Sequence, residues 1–148
     1  MSIYSAQGTQ TVTATTALTI VSTAAIRPRI IGFACSNVGT VSTDSNIRVQ
    51  AKRFTAAGTT TAVTPAARDS GDPASVFTAG SNASAEPTYT ANTTQKDKGF
   101  NPRGTWDWRA LEQRDEIILP ATAANGVGWL VTTLGGGVTI VVDADVME

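Results

Sequence analysis

Hydrophobic and polar residues along this 148-residue chain alternate in twos far more often than they recur at helical spacing. Residues 11–21, TVTATTALTIV, interleave threonine with apolar side chains and put Val12, Ala14, Leu18 and Ile20 on one side. A period of two with β-branched content predicts a strand. Residues 29–35, RIIGFAC, are apolar on both faces, with Pro28 at the entrance and Gly32 as a bulge position. Residues 46–54 alternate again, with Ile47, Val49 and Ala51 inward and Arg48, Gln50 and Lys52 outward. Residues 59–63 form a weaker, threonine-rich strand. No window fits a helix better than a strand.

From 65 to 103 the pattern loosens into Ser, Thr, Asn, Gly and Pro. We expect a long loop excursion here, holding one short strand around 88–91. Loops of this length inside a domain signal either contact with a partner or disorder. Residues 1–9 are expected to be an uncharged N-terminal arm that frays in solution or lies across a partner. The segment MSIYSAQGTQ has no positive region of a secretory signal, and no 18-residue apolar run follows. The sequons at Asn82 and Asn92 are therefore read as chance matches.

The last third is denser. In TWDWR, 105–109, Trp106 and Trp108 share one face of a strand and Asp107 takes the other. A single helical turn is expected over 110–114 and a strand over 116–119, ended by Pro120. Asn125-Gly126 is a two-residue hairpin signal. Strands are expected over 127–134 and 138–143, separated by Gly135-Gly136-Gly137. Residues 116–143 thus read as a three-stranded antiparallel meander whose last two strands are apolar on both faces. One face packs the core and the other needs a second layer or another subunit. The whole reads as eight or nine short strands in a single all-β domain over 10–148, an antiparallel β-sandwich that is jelly-roll-like.

Charge and chemistry narrow the function. Eleven basic and twelve acidic residues leave a net charge of −1, which argues against nucleic acid as a partner. There is no histidine, so Ser-His-Asp and Cys-His catalysis and most zinc sites are excluded. The one cysteine, Cys35, cannot form an internal disulfide and reads as a small apolar strand residue. Glu112, Asp115 and Glu116 are the nearest thing to a catalytic carboxylate group, although a solvated turn before a strand explains them better. Asp143 and Asp145, at i and i+2, would share a strand face and suit a divalent cation, or simply an exposed acidic end. Trp106 and Trp108 have the residue type of a sugar-stacking platform, but core or subunit-interface packing is the reading that aromatics in a sandwich favour.

The order of these segments resembles a known class. A Thr/Ala-rich first strand, a WDWR strand, EIILP at 116–120, NGVGWLV at 125–131, a glycine turn and VTIVVDADV at 138–146 resemble the capsid decoration, or cement, proteins of tailed bacteriophages. The resemblance implies a homotrimeric structural virion protein on the capsid exterior, assembled in the host cytoplasm. It would bridge major capsid protein subunits, with no enzymatic role, cofactor or metal, and no nucleic-acid or membrane partner. Under it, Ile3 and Tyr4 become candidates for capsid contact, and Trp129, Leu130, Val131 and Ile140 candidates for core and trimer packing. Two other readings stay open: a carbohydrate-binding, lectin-like virion domain using Trp106 and Trp108, and a tail or baseplate adaptor.

Overall fold

The computed structural model of the chain describes residues 1–41 and 44–148. The strands are β1 (Ile3–Gln10), β2 (Thr15–Val21), β3 (Arg29–Asn37), β4 (Ile47–Ala56), β5 (Thr59–Val63), β6 (Ala66–Ala67), β7 (Thr78–Ala85), β8 (Thr88–Phe100), β9 (Trp106–Arg109), β10 (Ile117–Ile118), β11 (Gly126–Thr133) and β12 (Ile140–Met147), with one 3-10 turn over Gln113–Asp115. They form two antiparallel sheets. In sheet A, β9 and β10 both pair with β3, followed by β12, β1 and β6; sheet B runs β5-β7-β2-β11-β4-β8. Take β9 and β10 as one position and β5 to β7 as an insertion. Sheet A then orders its strands first, eighth, third, sixth, and sheet B second, seventh, fourth, fifth. That is the order of a jelly roll, in which two Greek keys wrap a sandwich.

The core lies between the sheets and is built by alternation. On β12, Ile140, Val142, Ala144 and Val146 are fully buried, and on β11 so are Val127, Trp129 and Val131. Phe33 is the hub of the aromatic layer, with ring centroids 4.9 Å from Trp106, 5.3 Å from Trp108 and 5.4 Å from Trp129. The pairs with Trp106 and Trp129 are edge-to-face, and pairs of this kind add about 1 kcal/mol each beyond burial.

Four expectations are corrected. Residues 1–9 are not an arm: Ile3–Gln10 is an interior strand of sheet A, paired with β12 along its length and with β6 at Tyr4 and Ser5. The segment looked too polar for a core strand, but only alternate side chains, Tyr4, Ala6, Gly8 and Gln10, have to be buried. Residues 65–103 are not a loop excursion; they contain β6, β7 and the thirteen-residue β8, of which the short strand expected around 88–91 is only the start. Residues 11–14 are a turn with Ala14 at φ 61°, so Val12 is exposed rather than inward. The meander over 116–143 does not exist either. β10 pairs with β3, β11 with β2 and β4, and β12 with β1 and β3, so consecutive strands alternate between sheets.

The second apolar face of β11 is covered by the chain itself. Gly126, Gly128 and Leu130 point away from the core, and Phe54 and Tyr89 lie over the two glycines. A Cβ on Gly128 would stand 2.5 Å from the Tyr89 hydroxyl, and one on Gly126 would stand 2.5 Å from the Phe54 ring. The alternating glycines make a floor on which the two rings rest, 6.3 Å apart and edge-on. On β11 this satisfies the face that the sequence pattern assigned to a second layer or a subunit contact; the outer face of β12 instead carries Asp143 and Asp145.

Candidate functional site

The outer face of sheet A carries the densest charged cluster. The register aligns Arg109, Gly32, Asp145, Ser5 and Ala66 in one row across five strands. Gly32 stands between Arg109 and Asp145, and a Cβ there would approach Arg109 Nη1 to 3.0 Å. Its missing side chain lets the Arg109 guanidinium lie across β3 and donate to Asp145. From the other edge of the sheet, Arg68 reaches back over β1 and donates to the second Asp145 oxygen. The Asp145 side chain is only 7% exposed, while those of Arg68 and Arg109 are 55% and 65% exposed. Asp143, two residues back on the same face, accepts a 2.7 Å bond from Ser5 Oγ. Asp145 raises the Arg68 pKa, mainly by accepting its hydrogen bond.

Asp143 and Asp145 therefore do share a face, as their spacing implied, but the pair is not arranged as a cation trap. Two guanidiniums occupy one carboxylate and a hydroxyl occupies the other. The acids before β10 are also dispersed: Glu116 pairs with Arg29 at 2.5 Å, Glu112 with Arg114 at 2.8 Å, and Asp115 lies exposed in the 3-10 turn. No group of three or more potential metal ligands occurs among the described residues.

The tryptophans do not form an open platform. β9 pairs with β3 so that Trp106 lies opposite Cys35 and Trp108 opposite Phe33, which turns both indoles to the core side. Trp106 is 6% exposed, and Lys96 Nζ sits 4.6 Å from the ring of half-buried Trp108. The exposed members of the strand are Asp107 and Arg109. Of the other candidates, Tyr4 is a core residue at 1% exposure whose hydroxyl donates to the Pro73 carbonyl at 3.0 Å. The structure thus removes Tyr4 from any contact surface, while Ile3 is half-buried on the outer face of sheet A. Trp129, Val131 and Ile140 are fully buried within the chain, and Leu130 is half-buried beside the glycine floor.

A second polar cluster was not foreseen. Glu86, in the short link from β7 to β8, accepts from the Thr16 amide at 2.9 Å and from its hydroxyl at 2.5 Å. The Tyr89 hydroxyl lies 2.6 Å from Thr16 Oγ1. Burial pushes the Tyr89 pKa up. The group pins the β7–β8 link across the outer face of β2 and β11. The one legible trace of it is the GVG spacing at 126–128, which leaves room for a ring. Beside it, Arg53, Phe54, Pro120 and Asn125 line a half-open hollow of about 180 Å³. Arg53 spends a donor there on the Ile118 carbonyl at 3.0 Å.

The remaining surface feature is the loop end of the sandwich. Asn37, Ile140 and Gln10 lie in one row, and Ile47 pairs with Phe100. The β1–β2, β3–β4, β8–β9 and β11–β12 connections therefore leave the sandwich at the same end. Asn37 Oδ1 ties two of them together by accepting from the amides of Gly39 and Thr139 at 2.8 and 2.9 Å. Two of the large exposed apolar side chains are here, Val12 at 55% and Val38 at 67%. In comparisons with protein families, curated proteins and solved structures, nothing matched the chain.

Proposed function

We propose that this chain is a non-enzymatic structural virion protein that decorates a tailed-phage capsid as a homotrimer and bridges its major capsid protein subunits. The jelly-roll strand order carries the reading, because it is the architecture in which viral capsid domains recur. It joins the segment order that resembles cement proteins. Of the groups singled out from the sequence, Glu112, Glu116 and Asp145 are held in ion pairs and Trp106 and Trp108 pack on the core side, which suits a structural role. The carbohydrate-binding alternative loses its footing, because Trp106 and Trp108 face inward.

Attachment needs a surface other than the one first assigned to Ile3 and Tyr4. The loop end supplies it in this proposal, with Val12 and Val38 as apolar contacts repeated around the lattice. Many weak contacts of this kind sum to tight attachment through avidity. The trimer is tested by light scattering on a sizing column. A mass of about 46 kDa, three copies of the 15.3 kDa chain, supports closed three-fold assembly. A mass of one chain at all concentrations contradicts it. Val12→Asp with Val38→Asp should weaken capsid binding while leaving the circular dichroism spectrum unchanged, and undiminished binding would remove the loop end from the proposal.

A further inference from the structure

An exposed strand edge is a row of unpaired amides and carbonyls, and natural sheets blunt such edges with charges, short strands, proline or bulges. Three edge positions of this sandwich are blunted in those ways. In sheet A, β6 is two residues long, and β10 is two residues long and followed within two positions by Pro120. β9 carries exposed Asp107 and Arg109. At one margin of sheet B, β8 carries Lys96, Asp97 and Lys98, and its pairing with β4 breaks register three times.

The other margin of sheet B is different. β5 is TTTAV, five residues with no charge, no proline and no glycine. It pairs with β7 on one side only, with a single register break, between Thr59 and Thr61, against three along β8. Among the described residues, no loop supplies a backbone hydrogen bond to Thr59–Val63. Thr59, Thr61 and Ala62 are exposed, while Thr60 and Val63 are half-buried and hold the strand in place. Val63 packs against the core, and Thr60 covers Gly80 of β7. The edge is thus anchored through Thr60 and Val63 and left open.

We propose that the β5 edge is an assembly contact, and that its occupant is β5 of a second copy of this chain, paired antiparallel about a two-fold axis at Thr61. The sequence is self-complementary in that register: Thr61 faces Thr61, Thr60 faces Ala62 and Thr59 faces Val63. Threonine and β-branched cross-strand pairs are favourable, and no like charges meet. An antiparallel edge pair is isologous, so it closes at two copies and does not run on into a fibre. The two six-stranded sheets become one continuous sheet. A seam of five residues falls short of the ~1,200 Å² that a stable interface buries. The pair is therefore transient for free chains and gains weight only when other contacts hold copies side by side. The proposal is independent of capsid attachment and stands or falls separately.

The test is disulfide trapping in the full chain. Directly opposed residues of an antiparallel pair have Cα atoms ~4.5–5.5 Å apart, within the ~4.4–6.8 Å of a disulfide. The native Cys35 is fully buried, and unsubstituted protein serves as the background. Under mild oxidation Thr61→Cys should give a covalent dimer on a non-reducing gel at least tenfold faster than Thr94→Cys on the blunted β8. Thr59→Cys should cross-link to Val63→Cys in a mixture and not to itself. Adding Ala62→Lys to Thr61→Cys should abolish the dimer without changing the circular dichroism spectrum. Equal rates for Thr61→Cys and Thr94→Cys overturn the proposal, whether because the edge stays open or because it takes a strand from a different protein. Self-linking of Thr59→Cys as fast as that of Thr61→Cys overturns the register and with it the two-fold contact.

Discussion

Asp145 is a nearly buried carboxylate held by two arginines that are themselves mostly in water, and this asymmetry predicts a specific non-additivity. A hydrogen bond to a charged group contributes about 1.5–3 kcal/mol when desolvated. Here the Arg68 and Arg109 side chains are 55% and 65% exposed, so screening reduces each to about 1 kcal/mol. Arg68→Ala or Arg109→Ala alone should therefore cost about 1 kcal/mol, because the remaining guanidinium still neutralises Asp145. With both removed, a carboxylate at 7% exposure has no counter-charge, and the cost should reach about 3–5 kcal/mol. The excess over the sum of the singles, about 1–3 kcal/mol, is the coupling read by a double-mutant cycle. Urea denaturation at pH 7 measures all four proteins, provided the m-values stay constant. The triple variant that adds Asp145→Asn should recover part of the loss, since a neutral amide is cheaper to leave buried. Additive singles, within about 0.5 kcal/mol, would refute the reasoning and mean that water reaches Asp145 freely.

Other outcomes follow from the same structure. Removing residues 1–9 deletes an interior strand of sheet A, so the truncated chain should lose its cooperative thermal transition; an unchanged melting curve would show that β1 is dispensable. Trp129→Ala empties the centre of the core, where the indole is fully buried, and should cost about 3–5 kcal/mol in denaturant titration. Burial pushes the Cys35 thiol pKa up, with Asp107 adding to the effect. The folded state thus keeps a proton that the unfolded chain releases above about pH 8.5. Stability should be unaffected by this group below that pH and fall by up to about 1.4 kcal/mol per pH unit above it. Cys35→Ala should flatten that part of the alkaline slope measured by urea denaturation.

Where one face of a strand is apolar and the other charged, the sequence was legible. Ile47, Val49 and Ala51 alternate with Arg48, Gln50 and Lys52 and form β4 in that orientation. The WDWR strand and the buried GVGWLV strand also lie where alternation put them. Only the start of β8 was legible, as the short strand expected around 88–91; the rest escaped notice because it forms the margin of sheet B with most of its side chains in solvent, so nothing demanded apolar alternation. β7 is built from Ala, Gly, Ser, Thr and Asn, which read as turn residues when stripped of their neighbours. Partner choice was not legible at all. Asp145 meets Arg68 and Arg109 across 77 and 36 positions of chain, and local pattern carries no information at that range. The glycines at 126 and 128 were visible, but the rings that fill the space above them come from β4 and β8.

Binding to capsids tests the functional claim most directly. Under the proposed function a tailed phage encodes this chain, and empty heads of that phage, prepared without it, would be incubated with the purified protein and pelleted through sucrose. The account predicts saturable co-sedimentation at a fixed number of copies per head, with added density on the exterior at three-fold positions by electron microscopy. Pelleting no greater than that of the protein alone, at concentrations well above those in an infected cell, would contradict it.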